Sequence, residues 1–218
     1  MSAEWCGLVR FNQDEIDSMV TGENTQKLYL DAQQLLEDSF LLASKIHASG
    51  FRPTFVIAVW RGGAPIGIAV QEYLAYRGIK TDHIAIRTRA YEAGIDSPRR
   101  ELDVQGLEYL VRKVTPEDRL LIVDDVYDTG RSSQAIVEKL TALCRRNMPR
   151  DLRIAVPFFK PSRNQTNRIP DYYLYETDRW LKFPHSLEGL TTAEIKAHRA
   201  EIFDIIKDYL PQHLDTAQ

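Results

Sequence analysis

Residues 120–132 read Leu-Leu-Ile-Val-Asp-Asp-Val-Tyr-Asp-Thr-Gly-Arg-Ser. Four apolar residues make a buried strand, and the carboxylates of Asp124 and Asp125 close it. A short Asp128-Thr129-Gly130 turn then leads into an amphipathic helix starting near Arg131. In an open parallel sheet, ligands collect beyond the carboxyl ends of the strands. The N–H groups at a helix N-terminus hold phosphate. Two adjacent carboxylates exceed what a phosphate needs, and they are acceptors suited to a pair of ribose hydroxyls. The chemistry on offer is recognition of a sugar phosphate. A two-carboxylate protease would need a second Asp-Thr-Gly, and the chain has one. A calcium loop would want oxygen ligands where Val126 and Tyr127 stand.

The stretch resembles the 5-phosphoribosyl-1-pyrophosphate (PRPP) motif of the type I phosphoribosyltransferases. The resemblance implies that Asp124 and Asp125 hold the ribose hydroxyls, and that Asp128, Thr129, Gly130, Arg131 and Ser132 wrap the 5′-phosphate. It also implies a catalytic role for Asp128 at N7 of a base. Mg2+ would act as cofactor, held by Asp124 and Asp125 indirectly through PRPP.

Three further segments fit this frame. Trp60-Arg61-Gly62-Gly63 ends an apolar strand ahead of a helix. Taken alone it reads as a strand-to-helix turn whose glycines let backbone approach a neighbour closely. Beside a PRPP motif it resembles the family's pyrophosphate loop, where a non-proline cis peptide commonly precedes the arginine. Arg61 and the Gly62 and Gly63 amides would then bind pyrophosphate. Lys160 follows the apolar run Ile154–Phe159; a lysine at a strand end is usually only solvated. In the purine branch of the family a lysine in this place donates to the 6-oxo group, which adenine lacks. Trp180, between Arg179 and Lys182, offers an exposed aromatic face on which a purine can stack. The stretch Tyr172–Pro184 resembles the xanthine-guanine and hypoxanthine phosphoribosyltransferases, which implies base binding by Trp180 and by the backbone of Leu181.

The resemblance is dense at these four sites, within roughly residues 50–188, and it departs elsewhere. Leu187 stands where human-type enzymes have a metal-binding aspartate, leaving Glu188 as the candidate metal ligand. The family's flexible loop falls within Arg87–Arg100, with Tyr91 its candidate aromatic. Residues 1–24 and 191–218 receive no function. The implied activity is transfer of the phosphoribosyl group from PRPP to N9 of guanine, hypoxanthine or xanthine. Two other readings remain open: a PRPP- or nucleotide-sensing regulator on the same fold, and a transferase for another nitrogen base.

The elements that must position these residues alternate in the βαβ manner. The expected order is a helix over 25–48 capped by Asn24 or Thr25 and stopped by Gly50, a strand Phe55–Trp60, a helix Pro65–Arg77 and a strand His83–Arg87. A polar, mobile excursion is expected over 88–105. After the PRPP strand come a helix Ser132–Arg146, strands Ile154–Phe159 and Tyr172–Glu176, and a helix Thr191–Leu210. The fold class is α/β, one domain over 1–218 with a mainly parallel sheet flanked by helices, a small base-binding hood and a core at about 50–188.

Composition constrains the rest. With 218 residues, 44% hydrophobic and 27% charged, the chain has the make-up of a soluble globular domain. A net charge of −3 gives no reason to expect nucleic-acid binding. Nothing approaches the roughly 20 apolar residues of a membrane span, and the N-terminus lacks signal-peptide features, so a cytoplasmic protein is expected. Cys6 and Cys144 are too few for a disulfide framework, and Cys144 is expected to be a buried thiol. Relatives in the resembled family are dimers or tetramers, so a homodimer or homotetramer is the expected assembly.

Overall fold

The computed structural model describes residues 27–91 and 101–209. Its centre is a five-stranded sheet formed by β2 (Phe55–Trp60), β3 (Asp82–Tyr91), β4 (Glu101–Gln105), β5 (Arg119–Val123) and β7 (Asp151–Ala155), in the order β4-β3-β2-β5-β7. All neighbours are parallel except β3 and β4. A parallel sheet is covered on both faces, so its inner strands read as unbroken apolar runs. In β5, Leu120 to Val123 are all fully buried.

Side chains alternate between the faces, which sorts the core into two layers. Ile57, Leu120, Ile122 and Ile154 meet Ile136 and Leu140 of α4 (Arg131–Cys144) and Leu110 of α3 (Glu108–Val111). Val56, Leu121, Val123 and Ala155 meet Leu42 and Ile46 of α1 (Ala32–Ala48), with Ile66 and Val70 of α2 (Gly63–Tyr76). Burying one such Leu or Ile stabilises by about 1.5–3 kcal/mol. Cys144 is a buried thiol, as expected, and burial pushes its pKa up.

Two small sheets sit beside the main one. β6 (Val126–Tyr127), β8 (Phe158–Phe159) and β9 (Tyr175–Glu176) form one; β1 (Lys27–Tyr29) pairs parallel with β10 (Trp180–Lys182) in the other, the hood.

Several expected boundaries move, each for a physical reason. The first helix begins at Ala32, not 25, because Asp31 caps it by accepting from Gln34 N at 2.9 Å and residues 27–29 pair with β10 instead. Asn24 and Thr25 lie outside the described residues. The run Ile154–Phe159 breaks at Pro157, which has no N–H for a ladder, so Phe158–Phe159 joins the second sheet. The strand over Tyr172–Glu176 shortens to Tyr175–Glu176, with Tyr172 left in an isolated bridge to Ala155. The excursion over 88–105 contains an antiparallel pair: β3 runs on to Tyr91 and β4 returns from Glu101. The stretches 88–91 and 101–105 read as polar because they leave the core; among their described side chains Val104 is the buried exception, at 4% exposure. Residues 92–100 lie outside the described residues, as does the Tyr91 side chain.

The final helix is interrupted. Thr191 and Glu194 form a capping box that starts α5 (Thr192–His198), and Arg199 leaves helical geometry before α6 (Ala200–Ile206). No glycine or proline marks that break. Arg199 instead donates to the carbonyl of Lys182 at 3.1 Å.

Candidate active site

Strands β2 and β5 are in register, Ala58 opposite Val123, so the segments leaving their carboxyl ends emerge side by side. The Arg61-Gly62-Gly63 loop therefore lies against Asp124-Asp125. The contact is close enough to require glycine. A Cβ on Gly62 would fall 1.7 Å from Asp125 Oδ2, and one on Gly63 would fall 2.5 Å from the Val123 carbonyl. A cis peptide joins Trp60 to Arg61, the feature that the resemblance implied.

Asp124 and Asp125 sit half-buried at the strand end, with Asp124 Oδ1 accepting from Asp125 N at 2.9 Å. Burial, then the charge of Asp125, pushes the Asp124 carboxyl well above its ordinary range. Burial raises Asp125 too, against hydrogen bonding from Asp124 and the nearby His185. Such a pair is held at an electrostatic cost and gains from hydroxyl donors or a cation beside it.

The turn after β6 is pinned from outside. Gly130 adopts φ +75°, where a Cβ would also meet Tyr127 Oη at 2.7 Å. Tyr127 Oη lies 3.0 Å from Thr166 Oγ1 and donates to Arg168 O, while Gln165 N donates to Thr129 O. Because Tyr127 pairs with Phe159 across β6 and β8, the residues that follow them are neighbours. Those residues are Asp128 and Lys160, 3.7 Å apart. Arg163 Nε approaches Asp128 Oδ1 at 2.6 Å, so the carboxylate has a cation on either side. Lys160 is buried, and burial lowers its pKa against the pull of Asp128.

The hood supplies the opposite wall. Trp180 is 57% exposed, as its polar neighbours suggested, and lines the same cleft of about 1090 Å³ as Arg61, Asp124, Asp125 and Asp128. Leu181, Thr129, Gly130 and Ser132 line it as well; Lys160, Gly63 and Arg131 do not. Glu188 lines the mouth with its carboxylate 2.6 Å from Arg61 Nη2, which holds Glu188 below its usual range. Its partner here is the Arg61 guanidinium. Among the described residues no cluster of three or more His, Cys, Asp or Glu is poised to hold a metal ion.

Three neighbours escaped the sequence reading. Arg163 and Thr166 act only through contacts made by folding, and no local signal marks them. His185 lines the cleft, stacked on Phe183 at 5.7 Å. Lys182 was visible as a flanking charge, and period-two alternation puts it on the Trp180 face of β10.

Comparisons with known proteins place the chain among its relatives. An orotate phosphoribosyltransferase from Sulfurovum sp. (strain NBC37-1) is 30% identical over 132 residues; the match spans 55% of this chain and 65% of that protein's length. The crystal structure of a purine phosphoribosyltransferase from Pyrococcus horikoshii Ot3 superposes with a TM-score of 0.58 at 26% identity, covering 72% of this chain and 92% of that one. A hypothetical protein from Neisseria gonorrhoeae, solved with bound ppGpp, shares the fold at a TM-score of 0.63 and 20% identity, covering 80% and 94%. The phosphoribosyl transferase domain family matches residues 25–189, so β1 and α1 fall inside the match along with the acid pair and the hood. With well over half its length in that match, the chain belongs to the phosphoribosyl transferase domain family.

Proposed function

We propose that the protein transfers the 5-phosphoribosyl group of PRPP to N9 of a 6-oxopurine, releasing pyrophosphate and a nucleoside 5′-monophosphate. The observation that carries the choice of base is the Lys160–Asp128 pair, 3.7 Å apart beyond the ends of paired strands. A 6-oxopurine protonated at N7 presents an acceptor and a donor side by side, which complements a lysine and a carboxylate at that spacing. Adenine presents amino donors where the lysine wants an acceptor, and a buried mismatch is costly.

In this reading Trp180 stacks on the base, while Leu181 backbone reads its 2-position. Asp124 and Asp125 orient the ribose hydroxyls, and the turn from Asp128 to Ser132 holds the 5′-phosphate. Arg61 exchanges Glu188 for pyrophosphate, which approaches over Gly62 and Gly63. As the C1–pyrophosphate bond opens ahead of attack by N9, positive charge grows on the ribose. Asp128 receives the proton at N7. The rate gain comes from positioning and charge stabilisation.

The acid pair fits magnesium. Its oxygens suit a hard cation, and magnesium is commonly bound by one or two carboxylates together with substrate phosphates. When bound, it supplies neutralisation of the leaving pyrophosphate. The contact through PRPP at Asp124 and Asp125 is the one this site supports. A direct bond from Glu188 would require breaking its pair with Arg61.

A second reading, transfer to orotate, is favoured by the 30% identity to an orotate phosphoribosyltransferase. One assay separates them: purified protein with PRPP, magnesium and each of guanine, hypoxanthine, xanthine, adenine and orotate. Turnover of 6-oxopurines without adenine or orotate is expected. Turnover of orotate alone gives the site to a pyrimidine. PRPP binding without turnover of any base replaces the enzyme by a regulator.

A further inference from the structure

The site contains two buried lysines, and their surroundings differ. Lys160 has Asp128 at 3.7 Å and does not line the cleft. Lys182 is 7% exposed and lines the cleft, and its ammonium donates to the carbonyl of Glu188 at 3.2 Å. An ammonium carries three donors. Among the described residues no carboxylate stands within ion-pair distance of Lys182. The Glu188 carboxylate feels the Lys182 charge from beyond that distance but is already paired with Arg61, so the buried ammonium still gains from an opposite charge close by.

Strand geometry decides what that charge would act upon. Trp180 and Lys182 are two residues apart on β10, so both side chains leave the same face. The Lys182 ammonium lies 5.8 Å from the centroid of the Trp180 ring. The strand is also held in place: the Lys182 carbonyl accepts from Leu30 N at 3.0 Å and from Arg199 at 3.1 Å. A flat base on Trp180 would therefore have a fixed positive charge beside it.

We propose that Lys182 is a specificity-determining residue that selects a 2,6-dioxopurine. The inference rests on the reading that Trp180 carries the base. A 2,6-dioxopurine, xanthine, presents carbonyl acceptors on both sides of the ring and readily becomes an anion. Hypoxanthine lacks the second carbonyl, and guanine presents amino donors there, which a lysine opposes. The charge of Lys182 is thus matched by one member of the 6-oxopurine class.

The simpler role, closing the 183–189 loop through the Glu188 carbonyl, needs a donor and no charge, so Lys182→Gln retains it. Lys182→Arg retains the charge. The test measures kcat/KM for xanthine and hypoxanthine in wild type and both variants. Alongside it, each base is titrated onto the full-length protein by quenching of tryptophan fluorescence. Wild type is expected to prefer xanthine. In Lys182→Gln the xanthine-to-hypoxanthine ratio should fall about 10- to 100-fold, the scale of a hydrogen bond to a charged group, and Lys182→Arg should restore most of it. An unchanged ratio in Lys182→Gln, or a wild-type preference for hypoxanthine, overturns the proposal. If no purine is turned over, the transfer reading fails separately. The titration then decides: weaker xanthine binding in Lys182→Gln supports the role of Lys182, while equal binding, or none to wild type, overturns it.

Discussion

The two ends of the cleft, proposed above to take the sugar phosphate and the base, are built in opposite ways. Asp124 through Ser132 is one continuous segment, seated on a fully buried strand and pressed against the Arg61-Gly62 loop. The base end is assembled from pieces far apart in the chain. Strand β10 pairs with β1, Lys27 forms an ion pair with Glu194, Tyr29 donates to Glu194 at 2.9 Å, and Arg199 holds the Lys182 carbonyl. The first end is held by dense packing. The second combines a few polar contacts near solvent with the burial of Leu28 and the packing of Leu181 on the core. A site divided this way can keep one substrate's chemistry constant while the other's recognition varies.

Breaking the close contact at the first end should have the largest effect. Gly62→Ala places a methyl where Asp125 now lies. We expect a loss in kcat/KM of about 100-fold or more, the scale of a misplacement near 1 Å, read in a PRPP-dependent assay at saturating base. A second comparison sets the supports side by side. Ile122→Ala empties a site that is 0% exposed and should cost about 2–5 kcal/mol. Leu28→Ala, in β1, should fall at the lower end of that range, since its site is partly open at 7% exposure. Urea unfolding of both checks the order.

Trp180→Ala sharpens the division between the substrates. It should raise the KM of the base by a factor equivalent to about 1–3 kcal/mol while leaving the KM of PRPP within twofold or so. A matching rise for PRPP would mean that the hood and the acid pair are coupled.

The smallest effect, and the most specific, is in pH. Asp124 has a raised folded pKa, so the folded state binds protons more readily than the unfolded one there. Its contribution to stability falls as pH rises through that folded value. Glu194 is the reverse. Its hydrogen bond from Lys27, with further donation from Thr191 and Tyr29, lowers it from 4.5 to about 2. The stability it provides is present above 4.5 and is lost as pH falls toward 2. Acid should therefore relax the hood while relieving the acid pair. Asp124→Asn should stabilise the protein at neutral pH and abolish the local advantage of acid, as urea midpoints across pH will register. Hydrogen exchange at β1 and β10 should accelerate in wild type as pH falls below 4.5, after correction for the intrinsic rate.

The same division explains what was legible from the residues. The strand–acid–turn segment carries its whole message within thirteen residues, because a buried parallel strand must be apolar and the turn behind it must contain Gly130. The glycine requirement of the Arg61-Gly62-Gly63 turn was readable for the same reason. The hood was partly readable: Trp180 stood out as an aromatic among charges, while its partner strand was absorbed into a helix that begins five residues later. Residues 27–29 have no local reason to be a strand; they become one only because β10 supplies a ladder. The break at Arg199 was equally silent, since the residue departs from the helix to reach a carbonyl 17 positions away.

What local order settles is the α/β layering and the strand–acid–turn segment on which the sugar-phosphate proposal rests, because periodicity and turn chemistry act between near neighbours. What folding adds is proximity between distant groups: Glu188 on Arg61, Arg163 on Asp128, and the ammonium of Lys182 near the Trp180 ring. Charge interactions depend on separation in space and on burial, and neither is written in spacing along the chain.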